Sequence, residues 1–173
     1  TDINNDNILV VYIPDIHESL AGIVAGRVKE KYNKPTIILT KSEEGVKGSA
    51  RSIEEYNMFE GLLACKELLD KFGGHPMAAG LSLQEDKVDE LRIALNNKCE
   101  LTDEDLTRKI MIDSSLPLEY LNLHLIEELN VLEPFGKGNS KPVFGVRDAK
   151  ITKAILLGKD KNVLKLKLLT NNN

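Results

Sequence analysis

The chain has 173 residues, 42% of them hydrophobic and 29% charged, with a net charge of −4. That length suits one domain or two small ones with a real core, and the balance excludes a disordered chain. No apolar run approaches the roughly 20 residues of a membrane span, and no signal peptide opens the chain. Cys65 and Cys99 lie far apart, with no CxxC and no histidine at ligand spacing. Free thiols in a reducing compartment are expected, with no metal site on either, in a cytoplasmic, monomeric protein that has no membrane contact.

In chain order, Ile8 to Ile13 predicts a buried strand stopped by Pro14 and Asp15. Leu20, Ile23, Val24 and Val28 recur at helical spacing, so a helix is predicted over 19–32 with these residues as its apolar face. Asn33 and Pro35 end it, and Thr36 to Thr40 is a second strand. A polar, glycine-containing loop leads to a short third strand around Gly48 to Ile53. Phe59, Leu62, Leu63, Leu68, Leu69 and Phe72 mark a second helix that ends at Gly73-Gly74. Ala79 to Leu83 reads as another strand and 86–97 as another helix. Strands alternating with helices predict an α/β fold with a mixed, partly parallel sheet and flanking helices.

Beyond this point the charge changes sign. Residues 84–105 hold eight acids against three bases, whereas 141–167 hold eight bases against two acids. Two modules are expected. In the second, Lys109 to Asp113 reads as a strand and Leu118 to Leu132 as a helix. Pro134-Phe135-Gly136-Lys137-Gly138 breaks that helix. Strands follow at about 143–157, with an internal irregularity, and at 163–169. The last alternates cleanly, Leu164, Leu166 and Leu168 on one face and Lys165 and Lys167 on the other. Three strands are too few for a closed five-stranded barrel. The chain starts without methionine and ends in Asn171-Asn172-Asn173 directly after a strand, so it is expected to be a piece of something longer.

Four clusters carry the chemistry. In His17 to Arg27 a strand end feeds a helix whose first turns are small and glycine-bearing, an arrangement that favours an anion. Gly22 and Gly26 equally suit close helix–sheet packing. In Gly48-Ser49-Ala50-Arg51-Ser52, a strand sends Ser49 and Arg51 to one face and Ser52 to the other, pairing a hydroxyl with a guanidinium suited to a phosphate. Surface serines beside a salt-bridged arginine are the structural alternative. Phe72-Gly73-Gly74-His75 sets one imidazole beside backbone amides that no Cβ shields, so it can offer N–H groups to a phosphate. It reads equally as a helix C-cap with a satisfied histidine. Glu133 to Asn139 is best explained as a structural turn. No P-loop, GxSxG or dinucleotide fingerprint is present, and His17, His75 and His124 sit in no Asp/His cluster of the kind a metal hydrolase needs.

Taken in order, these four motifs resemble the C-terminal half of the RecJ family, bacterial single-strand-specific exonucleases of the DHH phosphoesterase superfamily. The similarity spans nearly the whole chain. It implies a DHH-associated domain over 1–106, then over 107–173 the start of a β-rich, OB-like nucleic-acid-binding module, incomplete here. It implies a 5′-to-3′ exonuclease acting on single-stranded DNA in recombination and repair. The manganese or magnesium ions would be held by a DHH domain upstream, with none bound by this stretch. By motif, Ser49 and Arg51 would hold the 5′-terminal phosphate, His75 would be the catalytic residue facing the scissile phosphate, and Arg27 would contact the strand. His17, Ser52, Gly73 and Gly74 complete the phosphate- and DNA-binding candidates. Ser19 stands where the family usually has glycine, and Ser140 where it usually has proline. Two other readings remain: a DHH-family phosphodiesterase for short oligonucleotides or cyclic dinucleotides, and a non-catalytic nucleic-acid-binding module.

Overall fold

The computed structural model describes residues 1–136 and 138–169, so expectations touching Lys137 and Asn171 to Asn173 lie outside the described residues. The chain divides into two units, Thr1–Arg108 and Lys109–Asn173.

In the first unit the order is β1 (Leu9–Tyr12), α1 (Glu18–Tyr32), β2 (Thr36–Ser42), β3 (Gly45–Arg51), α2 (Met58–Leu63), β4 (Lys71–His75), β5 (Ala78–Leu83), α3 (Val88–Asn97) and α4 (Asp103–Leu106). One five-stranded sheet runs β1-β2-β3-β5-β4. β1 and β2 are parallel, joined by the α1 crossover, and the other three pairings are antiparallel. This is the mixed sheet that the alternation of strands and helices predicts.

The sheet buries both faces, unequally. On one face Ile37, Leu39, Val46, Ala50 and Leu83 pack with Met58 and Leu62 of α2 and Leu91 and Leu95 of α3. On the other, Ile38 meets Ala21 and Ala25 of α1. The expected apolar face of α1 is therefore rotated. Val24 and Val28 do pack towards the sheet, but Leu20 and Ile23 are 46% and 62% exposed. Alanines make the central contact because their small side chains let the helix axis approach the strands, a signal that hydrophobicity alone does not carry. Asn33 closes the helix in the left-handed region (φ 50°, ψ 43°), its amide donating to Lys29 O at 2.8 Å.

The largest departure from expectation is at residues 59–75. The predicted helix to Phe72 stops at Leu63, a 3-10 turn spans Lys66–Leu68, and the double glycine lies inside strand β4 rather than at a helix end. Leu62, Leu68, Leu69 and Phe72 still reach the core, so the apolar spacing was real but the backbone differs. β5 supplies the reason. Its buried backbone groups need a partner on the side away from β3, and residues 71–75 fold back through the turn at Pro76 and Met77 to provide it. Gly74 sits at φ +152°, and a Cβ there would collide with Ala78 O. Cys65 is buried and free; burial pushes its thiol above the usual range, keeping it protonated and inert.

In the second unit β6 (Ser114–Ser115) pairs in parallel with β7 (Phe144–Gly145), α5 covers Leu123–Asn130, and β8 (Lys150–Leu157) forms a hairpin with β9 (Val163–Leu169). The strand expected at 109–113 is absent. The Asp113 carboxylate accepts the Val143 amide at 2.8 Å, so the ladder begins only at Ser114. The helix expected from Leu118 is split, because the Asn122 side chain accepts the Leu125 amide at 2.9 Å and starts a new helix there. The Glu133 to Asn139 turn is structural, its Asn139 side-chain amide donating to Leu132 O and Pro134 O at 2.8 and 3.0 Å. In the hairpin, Ile151, Ala154, Leu156, Leu164, Leu166 and Leu168 share one face, with a register shift between Ile151 and Lys153. Lys150, Lys153, Lys165 and Lys167 share the other with Ile155, Leu157, Val163 and Leu169. Among the described residues no helix is long and apolar enough to cross a membrane.

Two polar clamps close the edge of the first unit. Asn96 accepts the Asn7 and Ile8 amides at 2.8 and 3.0 Å and donates to Ile8 O at 2.9 Å, fixing α3 to the start of β1. Asp6 receives two bonds from Arg92, at 2.7 and 3.0 Å. Burial alone would push the Asp6 carboxyl up, but Arg92, the Asp2 amide and the Thr1 hydroxyl together hold it at about 2. A depressed carboxyl contributes stability that is fully present above its ordinary value near 3.8 and is lost as pH falls through about 2. Asp6→Asn is expected to lower unfolding stability by about 2 kcal/mol near neutral pH. Urea titrations should show that difference shrinking between pH 4 and pH 2, and a constant difference would refute the assignment.

Candidate functional site

The register of β3, β5 and β4 decides which side chains meet. Arg51 pairs with Ala78 and Ala78 with His75; Ser49 pairs with Gly80 and Gly80 with Gly73; Lys47 pairs with Ser82 and Ser82 with Lys71. Directly opposed residues point to the same side of a sheet, so these are three rows on one face. The opposite face carries Val46, Ala50, Ala79 and Leu83, all buried in the core. His75 and Arg51 lie two strand spacings apart in the first row, roughly 10 Å.

Helix α1 covers only part of this face. Its first turns lie over β3, where Gly22 faces the side chains of Arg51 and Ser49. A Cβ at Gly22 would stand 2.8 Å from Arg51 Nη2 and 3.5 Å from Ser49 Oγ. Gly22 therefore leaves the space that the guanidinium occupies. A Cβ at Gly26 would meet nothing within 4 Å, so close packing explains the first of these glycines and not the second. Arg51 Nη1 donates to Ala50 O at 2.8 Å, and among the described residues no carboxylate pairs with Arg51 or with His75.

Between α1 and the uncovered strands runs a cleft of about 550 Å³, lined by Glu18, Ser19, Ala21, Thr40, Lys47, Ser49, Lys71, Gly73, Gly80 and Ser82. Thr40 also ties the helix entry to the sheet, its hydroxyl donating to Ile16 O at 2.5 Å. The cleft floor is the Gly73–Gly80–Ser49 row, and the His75–Ala78–Arg51 row borders it. β4 is the edge strand of the sheet, with no strand on its outer side among the described residues.

The hairpin tip that carries His75 is held by two backbone bonds, from Ser52 N to Met77 O and from Met58 N to Pro76 O, both 2.9 Å. Neither anchor is visible in the sequence, because any residue but proline supplies the donor.

Of the candidates named from sequence, the structure brings His75, Arg51, Ser49 and Gly73 to one sheet face, whereas Gly74 opposes Ala79 on the core side. Ser52 is elsewhere: it is 1% exposed, and its hydroxyl donates to Tyr56 O at 2.6 Å. His17 caps α1, its Nδ1 accepting the Ser19 amide at 3.3 Å and meeting Ser19 Oγ at 2.7 Å. Arg27 projects into solvent from the far side of α1 and pairs with Glu30 at 3.6 Å, its side chain 81% exposed. Sequence reasoning missed Lys47, Lys71 and Glu18. The alternation of β3 places Lys47 on the face of Ser49 and Arg51, but Lys71 needed β4 to be recognised as a strand.

This is a mixed-sheet α/β domain with an open polar cleft on one sheet face, and the chain belongs to the DHHA1 domain family, whose model matches residues 5–101. Residues 112–173 match the model of the RecJ OB domain. The chain is 39% identical over 151 residues to the single-stranded-DNA-specific exonuclease RecJ of Bacillus subtilis, covering 85% of this chain and 19% of that protein. The crystal structure of RecJ from Thermus thermophilus in complex with Mg²⁺ superposes with a TM-score of 0.80 at 27% identity, over 95% of this chain and 26% of that one. The complex of the same protein with Mn²⁺ gives 0.74 at 26% identity, over 96% and 26%. The chain thus spans about a fifth to a quarter of the length of these relatives, and the resemblance that the four motifs carry is borne out.

Gly22→Ala is expected to hold or raise the melting temperature, since alanine favours a helix interior by up to about 1 kcal/mol and the displaced atom is the end of a flexible side chain. The same methyl displaces the guanidinium, so a crystal structure of the variant should show Arg51 Nη2 moved away from residue 22. An unmoved guanidinium, or a melting temperature several degrees lower, would refute this account of Gly22.

Proposed function

We propose that this chain supplies the phosphate-binding cleft of a single-stranded-DNA exonuclease that works from the 5′ end, in DNA recombination and repair. The observation that carries this reading is the His75–Ala78–Arg51 row, an imidazole and a guanidinium that no carboxylate among the described residues pairs, on one open sheet face beside a glycine floor. The names of the relatives support single-stranded DNA as the polymer.

In this reading Ser49 Oγ and the Arg51 guanidinium donate to the terminal phosphate. The planar fork suits a monoester, which offers more free oxygens than an internal phosphodiester, so the pocket selects an end. Such contacts position a strand without reading its bases. His75 donates a ring N–H to a non-bridging oxygen of the phosphodiester being cut, where negative charge builds in the transition state. The lysine face of the β8–β9 hairpin adds sequence-independent attraction for the backbone. Ser52, His17 and Arg27 are left out, because the first two are committed to local hydrogen bonds and the third faces solvent.

Among the described residues no group of three or more His, Cys, Asp or Glu is arranged to hold a metal ion. These residues do not fit a magnesium or manganese site. The reading assigns the metal to a DHH domain elsewhere in a longer protein, cytoplasmic and monomeric.

The test is end preference. By fluorescence anisotropy the chain should bind a 5′-phosphorylated oligo(dT) several-fold tighter than the 5′-hydroxyl form, and Arg51→Ala should erase the difference. Equal affinity of the unaltered chain for both ends would overturn the reading. In the longer protein, His75→Ala should reduce turnover by about 10²–10³-fold, the cost typical of a lost transition-state donor, with DNA affinity within twofold. Unchanged turnover would place that donor elsewhere.

A further inference from the structure

A 5′-phosphate at Arg51 and a scissile phosphate at His75 constrain where the first nucleotide can lie. Its sugar falls over Ala78, which stands between the two on the same row. Its base then leaves the backbone sideways, along the strands. On one side β4 and β5 end at once in the turn at Pro76 and Met77. On the other side the Gly73–Gly80–Ser49 row lies one face repeat away, roughly 7 Å. That row is the floor of the cleft of about 550 Å³, a volume within the range of small-ligand sites, roughly 300–1,000 Å³.

This floor is bare without any need of the protein's own. A Cβ at Gly73 would meet nothing within 4 Å, and one at Gly80 only Gly48 O at 3.9 Å; neither glycine has a positive φ. Glycine inside a strand weakens it. Neither packing nor backbone geometry accounts for that cost here, whereas close approach of a ligand does. Gly74, by contrast, is fully explained by its clash with Ala78 O. Beyond the floor, Lys71, Ser82 and Lys47 form the next row and line the far end of the cleft. Lys47 also lies 3.6 Å from Glu18 of α1. The N–H and O–H donors of this row suit the ring and carbonyl acceptors that every base carries, so that end can receive a base without choosing among the four.

We propose that the Gly73–Gly80 floor is the subsite for the base of the 5′-terminal nucleotide, which lies flat on the bare backbone with its edge towards Lys71, Ser82 and Lys47. This rests on the reading of Arg51 and His75 as holding the phosphates on either side of that nucleotide. The base supplies a second fixed point. A terminal phosphate alone can swivel in its pocket, whereas a seated base sets the sugar over Ala78 and brings the next phosphate to His75. A base whose edge faces the lysine row cannot be paired, which suits a single strand as the polymer.

Fluorescence anisotropy with two 5′-phosphorylated oligo(dT) probes tests this, one complete and one whose first nucleotide is a base-less tetrahydrofuran. The complete probe should bind the unaltered chain about fivefold tighter, the scale of one net hydrogen bond. Gly80→Ala and Gly73→Val each raise the floor into the space of the base. Both should bring the complete probe down to the affinity of the base-less one and leave the latter within about twofold. The melting temperature of Gly80→Ala should hold, since the new atom has only Gly48 O nearby; should it fall, Gly73→Val carries the comparison. Complete probes starting with each of the four bases should bind within about threefold of one another, and a strong preference for one overturns the role of the lysine row. If the two oligo(dT) probes bind alike, or the glycine variants weaken both equally, the base subsite fails. The terminal-phosphate reading still stands in that case when Arg51→Ala erases the preference for a 5′-phosphate. If Arg51→Ala changes nothing while the glycine variants act only on the complete probe, the terminal-phosphate reading fails and the floor stands as a base site. No binding of either probe to the unaltered chain overturns both.

Discussion

Everything at the cleft depends on the two-residue period of side chains along β3, β5 and β4, locked by one antiparallel register. Val46, Ala50, Ala79 and Leu83 must face the α2–α3 core, and that burial fixes the direction of every intervening residue. A slip of one residue in β4 would bring Gly74 and Phe72 to the cleft and turn His75 and Lys71 towards the core. The hydrophobic layer on one side therefore holds the polar rows on the other in place. No direct contact between His75 and Arg51 is needed to keep them on the same row.

Helix α1 makes the second half of the arrangement. It packs on Ile38 through Ala21 and Ala25 and leaves β5 and β4 uncovered. Small residues bring it close enough for Gly22 to lie against the guanidinium of Arg51. The cleft is then the space between a helix that stops short and a sheet that continues beyond it. Its polarity follows from the helix start as well. Glu18 occupies the first turn, where a carboxylate is favoured by the helix dipole, and from there it reaches Lys47.

Much of this was legible in the sequence, and the failures have identifiable causes. The β1-α1-β2 unit, β5, α3 and the β8–β9 hairpin follow from periodicity and from Pro and Gly punctuation. The pairing of Ser49 with Arg51 on one face follows from strand alternation alone. The stretch from Phe59 to Phe72 misled because Leu62, Leu68, Leu69 and Phe72 all enter one core from a helix, a 3-10 turn and a strand in succession. Spacing records which residues are buried, not which backbone carries them. α1 misled in the opposite way, since its buried contacts are alanines and its larger apolar residues lie outside. Ser52 was correctly placed on the opposite side from Ser49, but its bond to Tyr56 O depends on a turn that local sequence does not announce.

The clamp on the β4–β5 hairpin has a consequence for how the site tolerates change. Both bonds at its tip run from main-chain amides, those of Ser52 and Met58, to main-chain carbonyls. Side-chain replacement at any of the four positions leaves the atoms of the clamp in place, short of introducing proline at a donor. The orientation of the imidazole is thus insulated from drift in the residues that hold it. Neighbouring sequences can diverge widely around such a tip while the ring keeps its place on the sheet face.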